Sequence, residues 1–467
     1  AQDHKAKGNE LYQAEKYEAA LEEYTKAIDL SPQDGVLYSN RSACYAALEQ
    51  WNECLADATT CLKLKPDWFK SYYRRALALH MMRRNVEARG LCNAGLALEP
   101  ENKELKGLKL KCNEPICREF ANASAIDFRM DRPPSEDFKL VLKGKSPVKG
   151  AQLNGLAFPQ TLRTMLHTAV MCQYPKIVKE LISRGADIAI EDRMGLSPVH
   201  MSALIQHEGV MSVISEHWDS TQNVSTTHNA TPQDILDATS FTLQRPEVKV
   251  KVLDREGKAA ALNAIEFMQK MGAFYQRTCQ LSDEYFRCMY SSILDDEGTE
   301  LMQDPRKNEL TAKFKASEEE KDLGIAWVND EIGYGVFALK PFKEGDYVCS
   351  FCGQLLSNFE IKEQSRNPYV ITIMPLDKLP FKTDASLYRS MGAYINHSDS
   401  PNTTPEHIVA KCAPMVVFIA NRNIEPGEQI SFDYRGRLHA LFCEQNLPSF
   451  KPLESLPPTQ LSALQKV

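Results

Sequence analysis

The first hundred or so residues repeat with a period of 34, and such a repeat leaves few folds open. Pro32, Pro66 and Pro100 are separated by equal intervals of 34 residues. Other columns agree at this spacing: Leu30, Leu64 and Leu98; Ala20, Cys54 and Ala88; Gly8, Ser42 and Ala76; Tyr17, Trp51 and Asn85. Small residues at fixed points let two helices approach closely, large ones fill the gap between neighbouring hairpins, and each proline closes a helix. The pattern predicts stacked helical hairpins.

This period, with its small and large columns, closely resembles the tetratricopeptide repeat (TPR). The resemblance implies three repeats over about residues 4–104 and a capping helix over Asn102–Lys111. Residues 1–111 are therefore assigned to a TPR domain. Residues 112–152 have little periodicity and contain Pro133 and Pro134, so they are interpreted as a linker with at most one short helix.

A second repeat begins near residue 153. Thr164-Met-Leu-His167 and Ser197-Pro-Val-His200 are 33 residues apart, and Thr231-Pro-Gln-Asp234 follows at 34. These segments are similar to ankyrin repeats, whose Thr-Pro-Leu-His signature starts each first helix. In that family the threonine and histidine hydrogen-bond the turns, so the resemblance implies that both histidines are structural. Residues 153–245 are assigned to an ankyrin array with a degenerate third unit and an unknown partner.

Residues 246–321 carry weaker signals. Lys258–Gln276 has apolar residues at helical spacing, and Ser282–Ile293 is a second candidate helix. Asp295–Glu320 is highly charged and is expected to be solvated. We interpret the segment as a helical connector that packs against its neighbours.

Length, charge and cysteine content limit the function. A chain of 467 residues is too long for one core and predicts three or four domains. No stretch approaches the roughly 20 apolar residues that span a bilayer, and the opening Ala-Gln-Asp-His-Lys is no secretory leader. The net charge of −7 argues against direct nucleic-acid binding. The 13 scattered cysteines are expected to be reduced, with Cys349 and Cys352 as buried strand thiols. We predict a cytoplasmic or nucleocytoplasmic protein without membrane contact.

Residues 322–436 change to short β-rich runs separated by glycine and proline. The expected strands are Ile325–Val328, Val336–Leu339, Tyr347–Phe351, Tyr369–Met374, Val416–Ala420 and Gln429–Tyr434. Three clusters accompany them: Gly333-Tyr334-Gly335, the segment from Tyr394 through Asn396-His397-Ser398-Asp399 to Asn402, and the segment from Gly427 to Phe432-Asp433-Tyr434. Taken singly, the first is typical of a hairpin turn and the second of an Asx-rich loop.

In this order and spacing the clusters resemble the SET-domain protein-lysine methyltransferases, including Phe351-Cys-Gly353 where that family has Tyr-x-Gly. The resemblance covers about 115 residues. It implies an irregular all-β, knot-like domain in which the Asn-His-Ser segment threads beneath the loop that carries the last strand. The chain is then a multidomain α+β protein, with an α-solenoid TPR array, an ankyrin array, the SET domain and a tail over residues 437–467.

The resemblance also implies a cofactor, S-adenosyl-L-methionine (SAM). Gly333, Tyr334 and Gly335 would let the backbone reach its methionyl end, where a Cβ would collide. Asn396 and His397 would hold it by hydrogen bonds, and Phe442 would pack against the adenine.

The chain departs from the family pattern at three points. Asp399 stands where many members carry a zinc-ligand cysteine, the tail offers only Cys443, and no cysteine-rich segment precedes the domain, so a subclass without metal is implied. Ala393 stands where many members have arginine, which bears on activity.

Tyr434, in the closing Asp-Tyr, would be the catalytic tyrosine. Methyl transfer to an amine is an in-line displacement that depends mainly on alignment. The lysine must be neutral although its ordinary pKa is about 10.4, and a dry channel beside a sulfonium lowers that pKa. A phenol can orient the amine without adding charge. The alternative is a hydroxyl that merely caps a strand.

Phe432, two residues earlier, stands where this family has phenylalanine or tyrosine. Phenylalanine leaves room for an amine that already carries methyl groups, so methylation beyond the first methyl is expected. Phe432 is equally compatible with a plain core aromatic.

Polar residues recur on the first helices of the three TPR units: Lys5 and Asn9, then Asn40, then Lys70 and Arg74. Each four-residue spacing places a pair on one helix face. These residues could simply be solvated. As a set they match the two-carboxylate clamp of TPR co-chaperones, which grips the C-terminal Glu-Glu-Val-Asp of cytosolic heat-shock chaperones. Lys5, Asn9, Asn40 and Lys70 would donate to the two carboxylates of the terminal Asp, and Arg74 would contact the peptide further along.

The leading hypothesis is a SAM-dependent protein-lysine N-methyltransferase whose TPR domain binds chaperone tails and whose ankyrin array binds a further partner. The alternative is a co-chaperone-like scaffold with an inactive SET domain. A DNA-binding chromatin factor is disfavoured, because no basic stripe is visible.

Overall fold

The computed structural model describes residues 1–126, 137, 140–141, 143–148, 151–158, 163–192, 196–217, 231–238, 248–277, 279–282, 305–357, 370–372, 381–410, 413–434 and 455–467. Phe442, expected at the adenine, lies outside the described residues, as does nearly all of the helix expected over Ser282–Ile293.

The helices of residues 1–126 follow the 34-residue period. They are α1 Gln2–Gln13, α2 Tyr17–Leu30, α3 Gly35–Ala47, α4 Trp51–Leu64, α5 Phe69–Met81, α6 Asn85–Leu98 and α7 Lys103–Ile126. The second helix of every hairpin ends two residues before its proline, at Leu30, Leu64 and Leu98. The small column Ala20, Cys54 and Ala88 is fully buried. The predicted TPR hairpins are therefore present.

The capping helix α7 is longer than predicted. It continues from Lys103 through Pro115 to Ile126, so the first part of the expected linker is helical. Leu105, Leu108 and Cys112 are buried at helical spacing. Their burial against the preceding hairpin stabilises a helix that local periodicity indicates only weakly.

The second array contains the short helices α8 Met165–Met171, α9 Pro175–Ser183, α10 Pro198–Ile205, α11 Glu208–Ser215 and α12 Pro232–Ala238, with a hairpin of β1 Leu156–Phe158 and β2 Arg163–Thr164. His167 Nδ1 accepts a hydrogen bond from the Thr164 amide at 3.1 Å, and its Nε2 lies 2.9 Å from the Leu196 carbonyl. Burial lowers the pKa of His167 to about 4, so the ring is neutral at physiological pH.

The same capping box recurs in the next two units. Ser197 and His200 repeat it, and in the third unit Thr231 and Asp234 exchange two hydrogen bonds of 3.0 and 3.1 Å. The prediction that both histidines are structural is confirmed, and the aspartate substitutes for the third one.

The remaining strands are β3 Val250–Leu253, β4 Ala259–Leu262, β5 Phe274–Tyr275, β6 Gln280–Leu281, β7 Leu323–Asn329, β8 Gly333–Ala338, β9 Tyr347–Phe351, β10 Gln354–Ser357, β11 Val370–Thr372, β12 Phe381–Asp384, β13 Tyr388–Arg389, β14 Asn396–His397, β15 Thr403–Ala410, β16 Ala413–Ala420 and β17 Ser431–Phe432. Three larger sheets run in the orders β4-β3-β7-β8, β15-β16-β9 and β11-β12-β10-β6. The pairs β13-β5 and β14-β17 are parallel. The predicted irregular β domain is present.

The helical connector predicted for residues 246–321 is only partly helical over Lys258–Gln276, where Ala264–Met271 forms a helix and the residues on either side form short strands. Strands β3 and β4 form a hairpin over residues 250–262, and β3 pairs in parallel with β7, so this part of the segment belongs to a sheet of the β domain. Gly257, with φ +75°, makes the turn. Asn263 and Glu266 then form a capping box that starts the short helix α13, Ala264–Met271.

The charged stretch Asp295–Glu320 is not simply solvated where it is described. It includes the helices α14 Pro305–Ala316 and α15 Glu319–Asp322. Leu310, Phe314 and Glu319 are buried. Although the segment is highly charged, its helices have an apolar face that packs on the β domain.

A C-terminal helix, α16 Pro458–Lys466, covers the outer face of the β4-β3-β7-β8 sheet. Leu464 is fully buried and clusters with Leu253, Ala326 and Phe337. The Leu456 amide donates to the Gly427 carbonyl at 2.8 Å. The tail thereby supports β8, the strand that carries the Gly-Tyr-Gly cluster.

The third TPR hairpin contacts both other domains. Arg75 donates to the Tyr388 hydroxyl of the SET domain at 3.1 Å, and Tyr72 packs with Phe274 at a ring-centroid distance of 6.4 Å. From α6, fully buried Arg89 donates to the Ile205 carbonyl at 3.0 Å. Asn93 donates to Gln206 at 2.9 Å, on the ankyrin side. The three domains therefore meet at one junction built from α5 and α6.

The Cys349 and Cys352 thiols are free and fully buried, as predicted. Cys349 lies in β9, whereas Cys352 directly follows the end of that strand. Within the part of the chain that the structure describes, no helix is long and apolar enough to cross a bilayer.

Glu319 is a fully enclosed carboxylate at the edge of the β domain. Tyr347 donates a hydrogen bond to its Oε1, Ser350 donates at 3.1 Å, and Arg277 Nε lies 3.6 Å away. Burial raises the pKa of Glu319 from 4.5 to about 7, against the opposing effect of Arg277.

We expect this carboxylate to make stability depend on pH between about 5 and 7. The folded protein binds the proton more tightly than the unfolded chain, so the contribution is fully present below pH 4.5 and is lost as the pH rises through about 7. Glu319→Gln should flatten the thermal midpoint over pH 5–8 relative to the parent. The exposed neighbour Glu318→Gln is the control, and an unchanged pH profile in Glu319→Gln would contradict the assignment.

Candidate functional site

The three motif clusters of the β domain converge in space. Strand β14 pairs in parallel with β17, so that Asn396 stands opposite Ser431 and His397 opposite Phe432. Asn396 Nδ2 donates to the Tyr334 carbonyl at 3.1 Å. The structure thus brings together residues that are far apart in sequence and that the sequence nominated separately.

Asn402, for which no role was predicted from the sequence, holds this arrangement together. It is 1% exposed, and its Oδ1 accepts from the Ser431 amide at 2.8 Å. Its Nδ2 donates to the Gln429 carbonyl at 2.7 Å. The Asn402 side-chain amide therefore makes two hydrogen bonds to the backbone, as a neighbouring strand would. These bonds hold the cluster that ends at Tyr434 against the cluster that begins at Tyr394.

The glycines of β8 have separate roles. Gly333 adopts φ +77° and has open space where a Cβ would be. A Cβ on Gly335 would collide with Nε2 of Gln429 and lie 3.0 Å from Nδ2 of Asn396. A side chain at 335 would therefore displace the Gln429 amide and crowd that of Asn396. The cofactor approach predicted from the resemblance stays a prediction.

Gln429 is a residue that sequence reasoning missed. It is 4% exposed, and neither Oε1 nor Nε2 has a hydrogen-bond partner among the described residues. A buried amide without partners is costly unless a ligand or water satisfies it. Its place beside Gly335 and Asn396 makes this spot a candidate site for a polar ligand.

Tyr434 is half-buried, and its hydroxyl donates to the Ile395 carbonyl at 2.7 Å. Its ring lies 4.6 Å from that of Phe432, which in turn lies 4.8 Å from Phe418. Because the hydroxyl hydrogen is directed at a carbonyl, the phenol oxygen presents lone pairs elsewhere. The tyrosine therefore caps a backbone carbonyl and can also accept a hydrogen bond.

The His397 side chain is 5% exposed, and both of its ring nitrogens have neighbours within the β domain. Nδ1 accepts from the Tyr434 amide at 3.1 Å. Asp433 and Asp399 lie 3.7 and 3.5 Å from its two ring nitrogens. The imidazole thus orients Tyr434, and cofactor contact by His397 stays a prediction.

A second candidate site lies in the TPR groove. Asn40 Nδ2 donates to Asn9 Oδ1 at 3.2 Å, so the two asparagines of successive units touch. Lys5 Nζ lies 3.7 Å from Asp34, which caps α3 and was not foreseen as a neighbour of the clamp.

The basic side chains of α5 complete this groove. Lys70 is exposed, with Nζ 5.9 Å from the Trp68 ring centroid. Arg74 is half-buried, and its Nε has no partner among the residues described. The groove thus offers neutral amides from α1 and α3 and positive charge from α5.

Comparison with known families identifies two of the three regions. Residues 333–435 match the SET domain, and residues 161–193 match the ankyrin repeat. The chain therefore carries a SET domain and an ankyrin repeat.

Curated relatives account for the N-terminal region. The heat shock protein sti1 homolog of Schizosaccharomyces pombe is 42% identical over 110 residues, which are 23% of this chain and 19% of that protein. The Hsp70-Hsp90 organizing protein of Triticum aestivum is 37% identical over 116 residues, 25% of this chain and 20% of that protein. The chain thus spans about a fifth of the length of these relatives. They support an N-terminal TPR domain.

Among solved structures, ctPRC2 in an autoinhibited conformation bound to S-adenosylmethionine matches 24% of this chain and 15% of that chain. The identity is 26% and the TM-score 0.22. The likeness is confined to about a quarter of the molecule.

Proposed function

We propose that this protein is a cytoplasmic, SAM-dependent protein-lysine N-methyltransferase that binds the C-terminal tails of heat-shock chaperones through its TPR domain. The observation that carries the enzymatic part is the convergence of Tyr334, Asn396 and Tyr434 on the β14-β17 pair. SET domains are methyltransferase domains, so the match over residues 333–435 supports the reaction class.

The residues around Gly335 fit the cofactor. The buried amide of Gln429 lacks partners among the described residues, and the Cβ position of Gly333 opens onto free space. The backbone of Gly333–Gly335, together with Asn396, His397 and Gln429, would hold SAM. When bound, SAM supplies a methyl group on a positively charged sulfonium.

Tyr434 would orient the substrate amine. Its hydroxyl hydrogen is committed to the Ile395 carbonyl, so the oxygen can accept an N–H from a neutral lysine without adding charge. The rings of Phe418, Phe432 and Tyr434 are neighbours and form an apolar wall. Exclusion of water by this wall disfavours the ammonium form and lowers the pKa of the incoming lysine.

Labelled SAM incubated with the full chain and a cell lysate tests the activity. Label that stays on protein through acid precipitation, and that mass spectrometry assigns to lysine, supports the proposal. Saturable SAM binding without transfer to any protein favours the alternative, a scaffold with an inactive SET domain. The observation behind that alternative is Ala393, where many members carry arginine.

The TPR groove fits a peptide that ends in aspartate. A terminal aspartate carries two carboxylates, the Asn9 and Asn40 amides touch, and Lys70 and Arg74 of α5 would add positive charge to the same site. The orphaned Nε of Arg74 suits an anionic partner. Relatives of this region are named Hsp70-Hsp90 organizing proteins. Calorimetry with a peptide ending Glu-Glu-Val-Asp, free or amidated at its C-terminus, tests the assignment, and equal affinity for both would refute it.

Phe432 should allow more than one methyl group to be added. It is 5% exposed and packs between Phe418 and Tyr434. Under the proposed function, a hydroxyl added to this ring would narrow the lysine channel beside Tyr434. We expect the parent to yield di- or trimethyl-lysine at exhaustion and Phe432→Tyr to stop at monomethyl-lysine, as read by mass spectrometry. Monomethyl product from both proteins would show that another wall sets the limit.

A further inference from the structure

Tyr24 of helix α2 is a buried tyrosine whose hydroxyl reaches the TPR groove. The side chain is 2% exposed and packs in a small apolar cluster with Ala20 and Cys44. Burial raises the pKa of Tyr24 to about 12, so it stays a neutral phenol. Its hydroxyl donates to Asn9 Oδ1 at 2.7 Å.

The two asparagines of the groove both depend on this hydroxyl. Asn9 Oδ1 accepts from Tyr24 at 2.7 Å and from Asn40 Nδ2 at 3.2 Å, which uses both of its lone pairs. Asn40 is thereby linked to the tyrosine through the Asn9 oxygen that both side chains share. With its oxygen committed on the inner side, the planar Asn9 amide turns its Nδ2 donor towards the exposed side of the helix.

The repeat pattern indicates that this tyrosine is specific to the first hairpin. Its column, at intervals of 34, holds Ala58 and Cys92 in the other two units. The ring fits because residue 8 is glycine: a Cβ there would lie 2.7 Å from Tyr24 Cε1. The same column holds Ser42 and Ala76 later in the array. Glycine and tyrosine are thus combined only in the unit that carries Asn9.

We propose that Tyr24 is a positioning residue of the peptide groove: its hydroxyl locks the Asn9 amide with Nδ2 outward, ready to donate to the C-terminal carboxylate of a bound peptide. Without this hydrogen bond the amide can flip and present its oxygen, which repels a carboxylate. The inference rests on the proposed binding of chaperone tails.

Tyr24→Phe removes the hydroxyl and keeps the ring in its cluster. We expect the dissociation constant of a free-acid peptide ending Glu-Glu-Val-Asp, measured by calorimetry, to rise about three- to ten-fold. A change of this size corresponds to the loss of one hydrogen bond. The C-terminally amidated peptide, which lacks the terminal carboxylate, should be affected much less. Tyr17→Phe is the matched control, because Tyr17 belongs to the same helix and cluster and its hydroxyl has no hydrogen bond among the described residues.

A double-mutant cycle separates positioning from folding. In an Asn9→Ala background, Tyr24→Phe should cost no further affinity, because the amide that it positions is gone. Additive losses, or an equal loss for both peptides with a lower thermal midpoint, would identify a merely structural tyrosine and overturn the proposal. So would unchanged binding by Tyr24→Phe when the parent prefers the free acid. If the parent itself binds both peptides equally, the proposed tail-binding function fails first, and Tyr24 has no clamp to position.

Discussion

Tyr434→Phe is expected to lower the rate of methyl transfer by roughly 100-fold or more, the order of magnitude that a positioned hydrogen-bonding group contributes. The variant loses the oxygen that accepts the amine N–H and keeps the ring that packs on Phe432 at 4.6 Å. SAM affinity should change by no more than about two-fold, because removing one hydroxyl alters transition-state contacts more than ground-state binding. Turnover with labelled SAM and calorimetric SAM binding measure the two quantities.

The matched control is Tyr394→Phe. Tyr394 is buried in the same domain, and Arg389 donates to its hydroxyl at 3.4 Å. Loss of the Tyr394 hydroxyl should lower the thermal midpoint of the protein. It should change turnover little at a temperature where both variants are folded. If Tyr434→Phe methylates as fast as the parent, its hydroxyl serves only to cap the Ile395 carbonyl.

Lys70→Ala is expected to weaken binding of a Glu-Glu-Val-Asp peptide by ten-fold or more. A charge-assisted hydrogen bond contributes about 1.5–3 kcal/mol, and about 1.4 kcal/mol corresponds to a factor of ten. Lys70 is exposed at the groove. The remaining interaction should also become less sensitive to salt, because one of the paired charges is lost. Calorimetry at two ionic strengths measures both effects.

Lys65→Ala is a close control for this variant. Both lysines lie over the Trp68 ring, at 5.8 Å for Lys65 and 5.9 Å for Lys70. Lys65 is the C-cap of α4 and lies outside the proposed clamp. Equal losses in the two variants would attribute the effect to general positive charge around Trp68 and would contradict the clamp.

Sequence predicted best those elements whose contacts are local or periodic. The TPR helices follow from a column pattern in which Ala20, Cys54 and Ala88 recur, because each hairpin packs mainly on its neighbours. The ankyrin caps follow from Thr164 and Ser197, which bond only three residues ahead. Because such interactions join residues that are close in sequence or recur at a fixed period, they can be predicted from the sequence.

The errors lie where strands pair across long sequence separations. The position of strand β3 is set by its pairing with β7, in which Val252 stands opposite Ile325. No local sequence pattern indicates that partner. The apolar residues of Lys258–Gln276 fit a helical period, and the turn at Gly257 and the cap at Asn263 were overlooked.

The candidate site shows the same division. Tyr334, Asn396 and Tyr434 lie in recognisable clusters, and the structure brings those clusters together. The importance of Gln429 and Asn402 comes from their tertiary contacts. Gln429 lies beside Gly335 of β8, and Asn402 donates a hydrogen bond to the Gln429 carbonyl. An isolated glutamine in a strand gives no signal of this kind. Phe442 stays a prediction.

Under the proposed function, the junction at α5 holds the peptide groove at a fixed position relative to the SET domain, so the distance between the two sites limits which lysines can be methylated. Tyr72 and Arg75 anchor one side of the helix on the SET domain, while Lys70 and Arg74 belong to the groove. A tail held in that groove is a tether with one end fixed relative to the Asn396–Tyr434 site. A flexible tether of n residues spans about 5–6 Å × √n, so the length of disordered chain before the bound tail selects which lysines arrive. Under the proposed function, the spacing along a partner then counts for as much as the residues that flank its lysine.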